Sequence, residues 1–256
     1  MNSRRMPPCS PDWAFFLDVD GTLLEFAARP QDVRVDAGLR TLLARLAERT
    51  DGAVAVISGR AIEDVDRIFA PLVLPAAAGL HGLERRSASG VVHRSPTTRA
   101  TLDAAARCVA EVAGRHPGLA FEDKGGALAL HYRGAPHSRA FAENEMRAIR
   151  QSLGEGFEMQ KGKFVVEIRP HGRNKGDAIA EFAAEPPFRG RVPVFIGDDL
   201  TDESGFAVVN RLGGHSVKVG PGITRARWRL FDAAAVRHWL EDWIERCARA
   251  EAQASR

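Results

Sequence analysis

Two carboxylates one residue apart, Asp18 and Asp20, follow a short apolar run and precede a glycine. An apolar run that ends at Asp-Gly is typical of a buried strand that stops at a turn. Residues i and i+2 of a strand lie on the same side, so the two carboxylates can converge just past the strand end. Such a pair fits a cation site, or a site where one carboxylate attacks and the other transfers protons. The alternative is a plain turn with a spare Asp that caps the next helix.

A second acidic cluster lies in Gly197-Asp198-Asp199-Leu200-Thr201-Asp202-Glu203, where four acids fall within six residues. We predict that it lies between the end of a strand and the start of a helix. A helix N-terminus tolerates anions, which would account for one or two of these acids. A divalent cation accounts better for all of them, because Mg²⁺ takes one or two carboxylates together with water and phosphate oxygens.

Two further residues could contact an anion. Ser58 follows the second predicted strand, and Lys175 precedes a helix that returns to the core. Each has a simple alternative, since Ser58 could cap a helix and Lys175 could be a solvated lysine. Together with the acidic clusters they form an ordered set: Asp-x-Asp-Gly-Thr, then Ser, then Lys, then Gly-Asp-x-x-x-Asp.

This ordered set resembles the haloacid dehalogenase-like phosphohydrolases, over the whole chain except the first dozen residues. The resemblance implies that Asp18 attacks phosphorus and becomes an aspartyl-phosphate, and that Asp20 protonates the leaving alcohol and then activates water. It implies that Ser58 and Lys175 bind the transferring phosphoryl group, which suits a reaction that depends on positioning and charge neutralisation. It also implies a Mg²⁺ site with these ligands: Asp18, the main-chain carbonyl of Asp20, Asp198 and, in support, Asp202.

The elements that would position these residues alternate between strand and helix at both ends of the chain, which predicts a parallel sheet with covering helices. Functional groups in such sheets belong at the carboxyl ends of strands, where Asp18, Ser58 and His81 fall. Between them, helix and hairpin alternate twice, beginning with a helix opened by Pro96-Thr97-Thr98. We therefore predict an α/β fold: a Rossmann-like parallel-sheet core formed by 13–95 and 170–256, with an inserted α+β cap at 96–169.

The inserted segment carries a second resemblance. Phe121-Glu122-Asp123-Lys124-Gly125, Leu130-His131-Tyr132-Arg133 and the segment 161–170 resemble trehalose-6-phosphate phosphatases, as does Gly79-Leu80-His81-Gly82 in the core. Mixed charged side chains suit a disaccharide, which offers many hydrogen-bond donors and acceptors. The resemblance implies that the sugar phosphate is bound by the following residues: His81, Gly82, Glu122, Lys124, Arg133, Lys163 and Glu167. We expect Lys163 and Glu167 to share one strand face. The alternative for each is an exposed charge on a sheet.

Composition limits the other functions. The chain has 256 residues, 45% of them apolar and 27% charged, and a formal charge of +3. Lys/Arg runs no longer than a pair predict no nucleic-acid partner, and no apolar run is long enough for a membrane span. Residues 1–12 lack the apolar segment of a secretory signal and are predicted to be a short disordered tail. Cys9, Cys108 and Cys247 show no paired spacing, which favours a cytoplasmic location.

The function predicted from these patterns is Mg²⁺-dependent hydrolysis of trehalose 6-phosphate to trehalose and phosphate. One alternative is a phosphatase of another sugar phosphate, such as sucrose 6-phosphate or mannosyl-3-phosphoglycerate. Another is a catalytically silent module that binds a sugar phosphate. The presence of Asp18, Asp20, Lys175 and Asp198 argues against silence, because binding alone needs no nucleophile and acid pair. The sequence does not indicate the oligomeric state.

Overall fold

The computed structural model describes residues 6–7, 9–25, 33–94 and 99–254, which form one sheet of eight strands and one of four. The strands are β1 (Trp13–Leu17), β2 (Val54–Ile57), β3 (Ala76–Gly79), β4 (Glu84–Arg86), β5 (Val92–Arg94), β6 (Ala120–Asp123), β7 (Leu128–His131), β8 (Phe157–Gly162), β9 (Val165–Pro170), β10 (Val192–Gly197), β11 (His215–Val219) and β12 (Trp228–Leu230). The α-helices are α1 (Ala37–Arg49), α2 (Ile62–Phe69), α3 (Arg99–Arg115), α4 (Arg139–Ser152), α5 (Lys175–Ala183), α6 (Glu203–Arg211) and α7 (Ala233–Ala254).

The larger sheet has the order β12-β11-β10-β1-β2-β3-β4-β5, so β1 lies near its centre. The strands from β12 to β3 pair in parallel, whereas β4 and β5 extend the β3 edge in antiparallel fashion. Because β1 pairs with β2 on one side and with β10 on the other, both ends of the chain contribute to one sheet. The predicted α/β fold with a parallel core sheet is confirmed.

The side chains of β1 alternate between the two faces of this sheet. Phe15 and Leu17 belong to an apolar cluster with α1, α2 and α7, whereas Ala14 and Phe16 belong to a second cluster with α5 and α6. A parallel sheet covered on both faces needs such a continuous apolar strand. Functional side chains of this sheet therefore belong at the carboxyl ends of its strands.

The smaller sheet has the order β6-β7-β9-β8, and all its pairs are antiparallel. Leu128, Leu130, Val166 and Ile168 point toward α3 and α4 and form a separate apolar core. Glu122 of β6 and Glu167 of β9 both pair with Ala129 of β7, so the two glutamates flank a small residue in one row. This α+β unit is the one predicted between the two parts of the core.

One prediction about this sheet is wrong. Lys163 does not share a strand face with Glu167, because β8 ends at Gly162 and β9 begins only at Val165. Lys163 and Phe164 form the turn between these strands, and Phe164 has a φ of 65°, outside the range of an extended strand.

The domain limits at 95/96 and 169/170 stay a prediction. The first limit and the helix opening at Pro96-Thr97-Thr98 lie outside the described residues, as do residues 1–5 and 8 of the predicted tail. Strand β9 ends at Pro170, beside the second limit. Across the described residues, no helix has the length and apolar character that a membrane span requires.

Candidate active site

The nucleophile predicted from the sequence, Asp18, directly follows β1 and is buried. Its backbone N–H donates to the carbonyl of Ile196 in β10 (3.0 Å), which fixes it at the sheet edge. One carboxylate oxygen accepts a hydrogen bond from Lys175 Nζ (2.7 Å) and the other from Thr22 Oγ1 (3.1 Å). Lys175 Nζ also donates to Asp202 Oδ1 (2.6 Å), so this lysine bridges two strand ends.

Lys175 is positioned by the start of α5. Asn174 caps this helix and accepts from the N–H groups of Gly176 and Asp177, while the Asp177 carboxylate accepts from the Asn174 N–H. This reciprocal cap is readable in the sequence Asn-x-x-Asp, and Lys175 occupies its first helical position. Burial acts to lower the pKa of Lys175, but Asp18 and Asp202 outweigh burial and raise it, so the ammonium group stays charged.

Asp18, Asp198 and Asp202 form an acidic cluster whose ligand oxygens all lie within 4.8 Å of one another. Gly197 permits this approach, since a Cβ at that position would lie 2.4 Å from Asp202 Cγ. Burial together with the neighbouring carboxylates raises the pKa of Asp18 to about 7, against the effect of Lys175, and that of Asp198 to about 8. Closely spaced carboxylate oxygens with one nearby ammonium group fit a hard divalent cation.

Asp20, the predicted proton carrier, has a different partner. Arg60 donates to both of its oxygens, from Nε (2.7 Å) and from Nη2 (2.6 Å). The Asp20 side chain keeps 29% of its surface exposed, whereas that of Arg60 keeps only 9%. This bidentate pair fixes the orientation of the Asp20 carboxylate at the mouth of the site. Asp20 is not part of the acidic cluster just described, and its main-chain carbonyl as a metal ligand stays a prediction.

Two predicted site residues, Ser58 and Gly82, are not among the described residues that line the cavity. Ser58 is buried, and its hydroxyl accepts from the Arg60 N–H (3.0 Å), so it shapes the turn after β2 and is not a helix cap. Gly82 has a φ of 99°, and a Cβ there would lie 2.6 Å from the Asn174 carbonyl oxygen. Gly82 therefore allows close packing of its turn against the start of α5, and nothing places it against a substrate.

A buried ionic network joins the core to the cap. His81 Nε2 lies 2.8 Å from Glu167 Oε2, and Lys124 Nζ donates to Glu167 Oε1 and to the Gly59 carbonyl (3.0 Å). Burial alone would raise the pKa of Glu167. The opposing effect of Lys124 and His81 is larger and lowers the pKa below its usual value, so this carboxylate stays ionised. His81 reaches the network because Leu80 and His81 both adopt left-handed backbone conformations, with φ of 50° and 56°. Such conformations in non-glycine residues often mark functional sites.

Other cap side chains surround the same space. Glu122 Oε2 lies 2.7 Å from His131 Nε2, and the guanidinium of Arg133 lies over the Phe164 ring at 5.3 Å. Lys163 is exposed, and its backbone N–H donates to Asp199 Oδ2 of the core (3.0 Å).

The core and the cap enclose one open cavity of about 830 Å³, including its mouth. This cavity is lined by most of the residues that we predicted to be catalytic, substrate-binding or metal-binding: Asp18, Asp20, His81, Glu122, Lys124, Arg133, Lys163, Glu167, Lys175 and Asp198. Sequence reasoning assigned no role to four other polar lining residues: Arg60, His131, Asp199 and Thr201. A usable signal existed for Arg60, since Ser58-Gly59-Arg60 follows a strand end at the same sheet edge as Asp18.

Known proteins resemble this chain over most of its length. Residues 16–227 match the family model for trehalose-phosphatase. A protein of Escherichia coli K12 named trehalose-6-phosphate phosphatase is 46% identical over 242 residues, which cover 92% of this chain and 88% of that protein. A Sinorhizobium fredii protein named probable trehalose-phosphate phosphatase is 45% identical over 212 residues, covering 83% and 79%. A solved structure of a trehalose-6-phosphate phosphatase related protein is 27% identical, with a TM-score of 0.77, and covers 93% of this chain and 99% of that one.

Proposed function

The chain belongs to the trehalose-phosphatase family, and we propose that it hydrolyses trehalose 6-phosphate to trehalose and phosphate. One observation carries the proposal. A single cavity has a buried carboxylate and lysine, Asp18 and Lys175, on its core side and the charged residues Glu122, Lys124 and Glu167 on its cap side. The first group suits phosphoryl transfer, and the second suits a ligand rich in hydroxyl groups.

In the first chemical step, a carboxylate oxygen of Asp18 attacks phosphorus, and the bond between phosphorus and the sugar oxygen breaks. The departing oxygen takes a proton from Asp20, because a sugar alkoxide is a poor leaving group. Lys175 holds one Asp18 oxygen in place and offsets negative charge on the phosphoryl group. The product of this step is free trehalose and an aspartyl-phosphate at Asp18.

In the second step, Asp20 accepts a proton from a water molecule, whose oxygen attacks the phosphorus of the aspartyl-phosphate. The acyl-phosphate bond breaks, phosphate leaves, and the Asp18 carboxylate is restored. The partial exposure of Asp20 supports this role, since the same group must meet both the leaving alcohol and water. Arg60 keeps the carboxylate aimed at that position.

We propose Mg²⁺ as the cofactor. Asp18 and Asp198 would hold it together with the main-chain carbonyl of Asp20, and Asp202 would support them. When bound, Mg²⁺ neutralises charge on the nucleophile and on the phosphate oxygens. The acidic cluster supports this choice, because its donors are all hard oxygen atoms.

The sugar would lie against the cap. Glu122 and Glu167 stand in one row on either side of Ala129, so two acceptors are spaced across a shallow floor. Each carboxylate oxygen can accept more than one hydrogen bond, so partners such as His131 and Lys124 leave acceptor capacity for sugar hydroxyls. We also propose that the enzyme acts in the cytoplasm, on a small-molecule substrate and without a nucleic-acid partner.

The experiment that tests this function is phosphate release by purified protein with Mg²⁺ from four substrates: trehalose 6-phosphate, sucrose 6-phosphate, mannosyl-3-phosphoglycerate and 4-nitrophenyl phosphate. We expect kcat/KM to be highest for trehalose 6-phosphate. A higher kcat/KM for another sugar phosphate would identify that compound as the substrate and would contradict our proposal. Binding of trehalose 6-phosphate with no release from any substrate would identify a silent binding module.

A further inference from the structure

Arg133 is a cap residue whose surroundings include acids of the reaction centre. It follows β7 and lines the cavity together with Asp18, Asp20 and Asp198 of the core. Burial lowers the pKa of its guanidinium, and the opposing charges that act on it are those of Asp20 and Asp198. Both acids belong to the reaction centre, and Arg133 lines the same cavity as they do.

A defined support holds Arg133 there. Its guanidinium carbon lies 5.3 Å from the centre of the Phe164 ring, a cation–π contact. Phe164 is fixed in turn by Tyr132, whose N–H donates to the Phe164 carbonyl (2.9 Å) and whose ring meets the Phe164 ring edge-on at 6.1 Å. The support therefore belongs to the cap, in the turn between β8 and β9.

The core holds this turn in place. Asp199, which follows the strand end that carries Asp198, accepts the Lys163 N–H through Oδ2 (3.0 Å). Asp199 is itself fixed, because its side chain accepts from the Leu200 N–H (2.6 Å) and its own N–H donates to Asp202 (2.9 Å). The place of Arg133 in the cavity thus depends on a contact between the cap and the loop that follows β10.

The reaction centre is rich in negative charge, so a further cationic side chain would help to bind a phosphate group there. Among the described residues, four carboxyl groups lie there with two cations that donate to carboxylates: Asp18, Asp20, Asp198 and Asp202 with Lys175 and Arg60. Both cations already donate to carboxylates. A phosphate monoester dianion brings two further negative charges and its oxygen acceptors to this site. An arginine fork matches the geometry of phosphate oxygens.

We propose that Arg133 is a catalytic residue that binds the transferring phosphoryl group from the cap, and is not a ligand of the sugar hydroxyls. The proposal rests on the proposed function, since it assumes phosphoryl transfer at Asp18. Its consequence is that the charge complement of the site is complete only while the turn at 163–164 contacts Asp199.

The test compares Arg133→Gln with wild type on trehalose 6-phosphate and on 4-nitrophenyl phosphate, which has no sugar. We expect kcat/KM to fall on both substrates by similar factors, on the order of 10²-fold, as for the loss of one donor to a transition-state oxyanion. We also expect the inhibition constant of inorganic phosphate to rise by about tenfold or more. Arg133→Lys should recover part of each loss, because it keeps the charge but loses the fork.

Arg147→Gln is the matched control, because it removes a cap arginine charge from an exposed position on α4 and should leave all three measurements unchanged. Phe164→Leu keeps Arg133 but removes its ring, so both substrates should lose activity by a smaller, shared factor. If Arg133→Gln does not fold, Phe164→Leu still tests the proposal, because a loss shared by both substrates supports it and a loss confined to trehalose 6-phosphate contradicts it.

A loss confined to trehalose 6-phosphate, with the inhibition constant of phosphate unchanged, would overturn the proposal and return Arg133 to the sugar site. Failure of the proposed function looks different. In that case wild type itself would release no phosphate from trehalose 6-phosphate, whatever the state of Arg133.

Discussion

At the scale of single residues, Asp18 and Asp20 differ in what they contact. Asp18 is buried and held by Lys175 and Thr22, whereas Asp20 is partly exposed and held by Arg60. A nucleophile needs a fixed position in a site with little water, and a proton carrier needs access to both the leaving group and water. The contacts therefore support different roles for two residues of the same type.

Asp18→Asn should abolish turnover while the protein remains folded. The amide cannot attack phosphorus, so several kcal/mol of transition-state stabilisation is lost, at about tenfold in rate for each 1.36 kcal/mol. The measurement is kcat on trehalose 6-phosphate, with circular dichroism as the folding control. More than roughly a tenth of wild-type activity in this variant would rule out the covalent mechanism.

Asp20→Asn should depend on the leaving group. It should reduce kcat/KM on trehalose 6-phosphate more than on 4-nitrophenyl phosphate, by about 10²-fold or more, because only the sugar oxygen needs a proton to leave. The ratio of the two losses is the quantity to measure. A ratio near one would show that Asp20 does not act as the acid.

The buried acids also predict a pH dependence of stability in metal-free protein. The pKa values of Asp18 and Asp198 are raised to about 7 and about 8, above those of an unfolded chain, so the folded state binds more protons. The stability from these two groups is fully present below the ordinary carboxyl pKa of 3.8 and is lost as pH rises toward about 8, so Tm should fall as pH rises from roughly 5 to 8.

Mg²⁺ should act in the opposite direction, because it binds the ionised carboxylates and so stabilises the folded state more at high pH. The measurement is Tm against pH with chelator and with Mg²⁺. Asp198→Asn is the control and should flatten the metal-free curve. A metal-free Tm that rises across this range would contradict the prediction.

At the scale of secondary structure elements, three cap strands present the row formed by Glu122, Ala129 and Glu167, which we propose binds the sugar. The Glu167 carboxylate also holds Lys124 and His81, both largely buried. Removal of the whole side chain would leave a buried lysine without its carboxylate, which is strongly destabilising. A change to Gln keeps the shape and so separates sugar binding from folding.

Glu167→Gln and Lys163→Ala should each lower kcat/KM on trehalose 6-phosphate by about ten- to a hundredfold, through loss of charge-assisted hydrogen bonds of about 1.5–3 kcal/mol. On 4-nitrophenyl phosphate we expect little change, because Asp18, Asp20 and Lys175 are untouched. Equal losses on both substrates would mean that Glu167 and Lys163 support cap closure and do not bind the sugar.

The sequence predicted the elements whose signals are local. The apolar run of β1 and the start of α5 near Lys175 depend only on neighbouring residues, so both were predicted. The pairing of Arg60 with Asp20 and the left-handed conformation of His81 are set by packing between distant segments. The turn between β8 and β9 was predicted too early, at 161–163, and Lys163 was still assigned to the strand face of Glu167. Its local signal is weak, because Lys-Gly-Lys-Phe lacks the Asn-Gly or Asp-Gly dipeptide that marks most two-residue turns.

At the scale of the whole molecule, activity should require a metal ion, because the two chain segments of the core bring acids together that otherwise repel each other. Chelator should abolish phosphate release, and Mg²⁺ should restore it. Ca²⁺ should bind but inhibit, since its larger and looser coordination misplaces the nucleophile and the phosphate. Full activity after dialysis into excess chelator would refute a metal requirement.

The position of β1 also governs how the chain can fold while it is being synthesised. Trp13 pairs with Val192, so the central strand must wait until the whole cap and α5 have left the ribosome before its second edge is covered. The closure of so long a loop makes this pairing late and slow, whereas the cap has its own apolar core and can fold earlier. A nascent chain arrested before Val192 should therefore carry a folded cap beside an open, apolar strand edge that chaperones bind, and one arrested well beyond Val219 should release them.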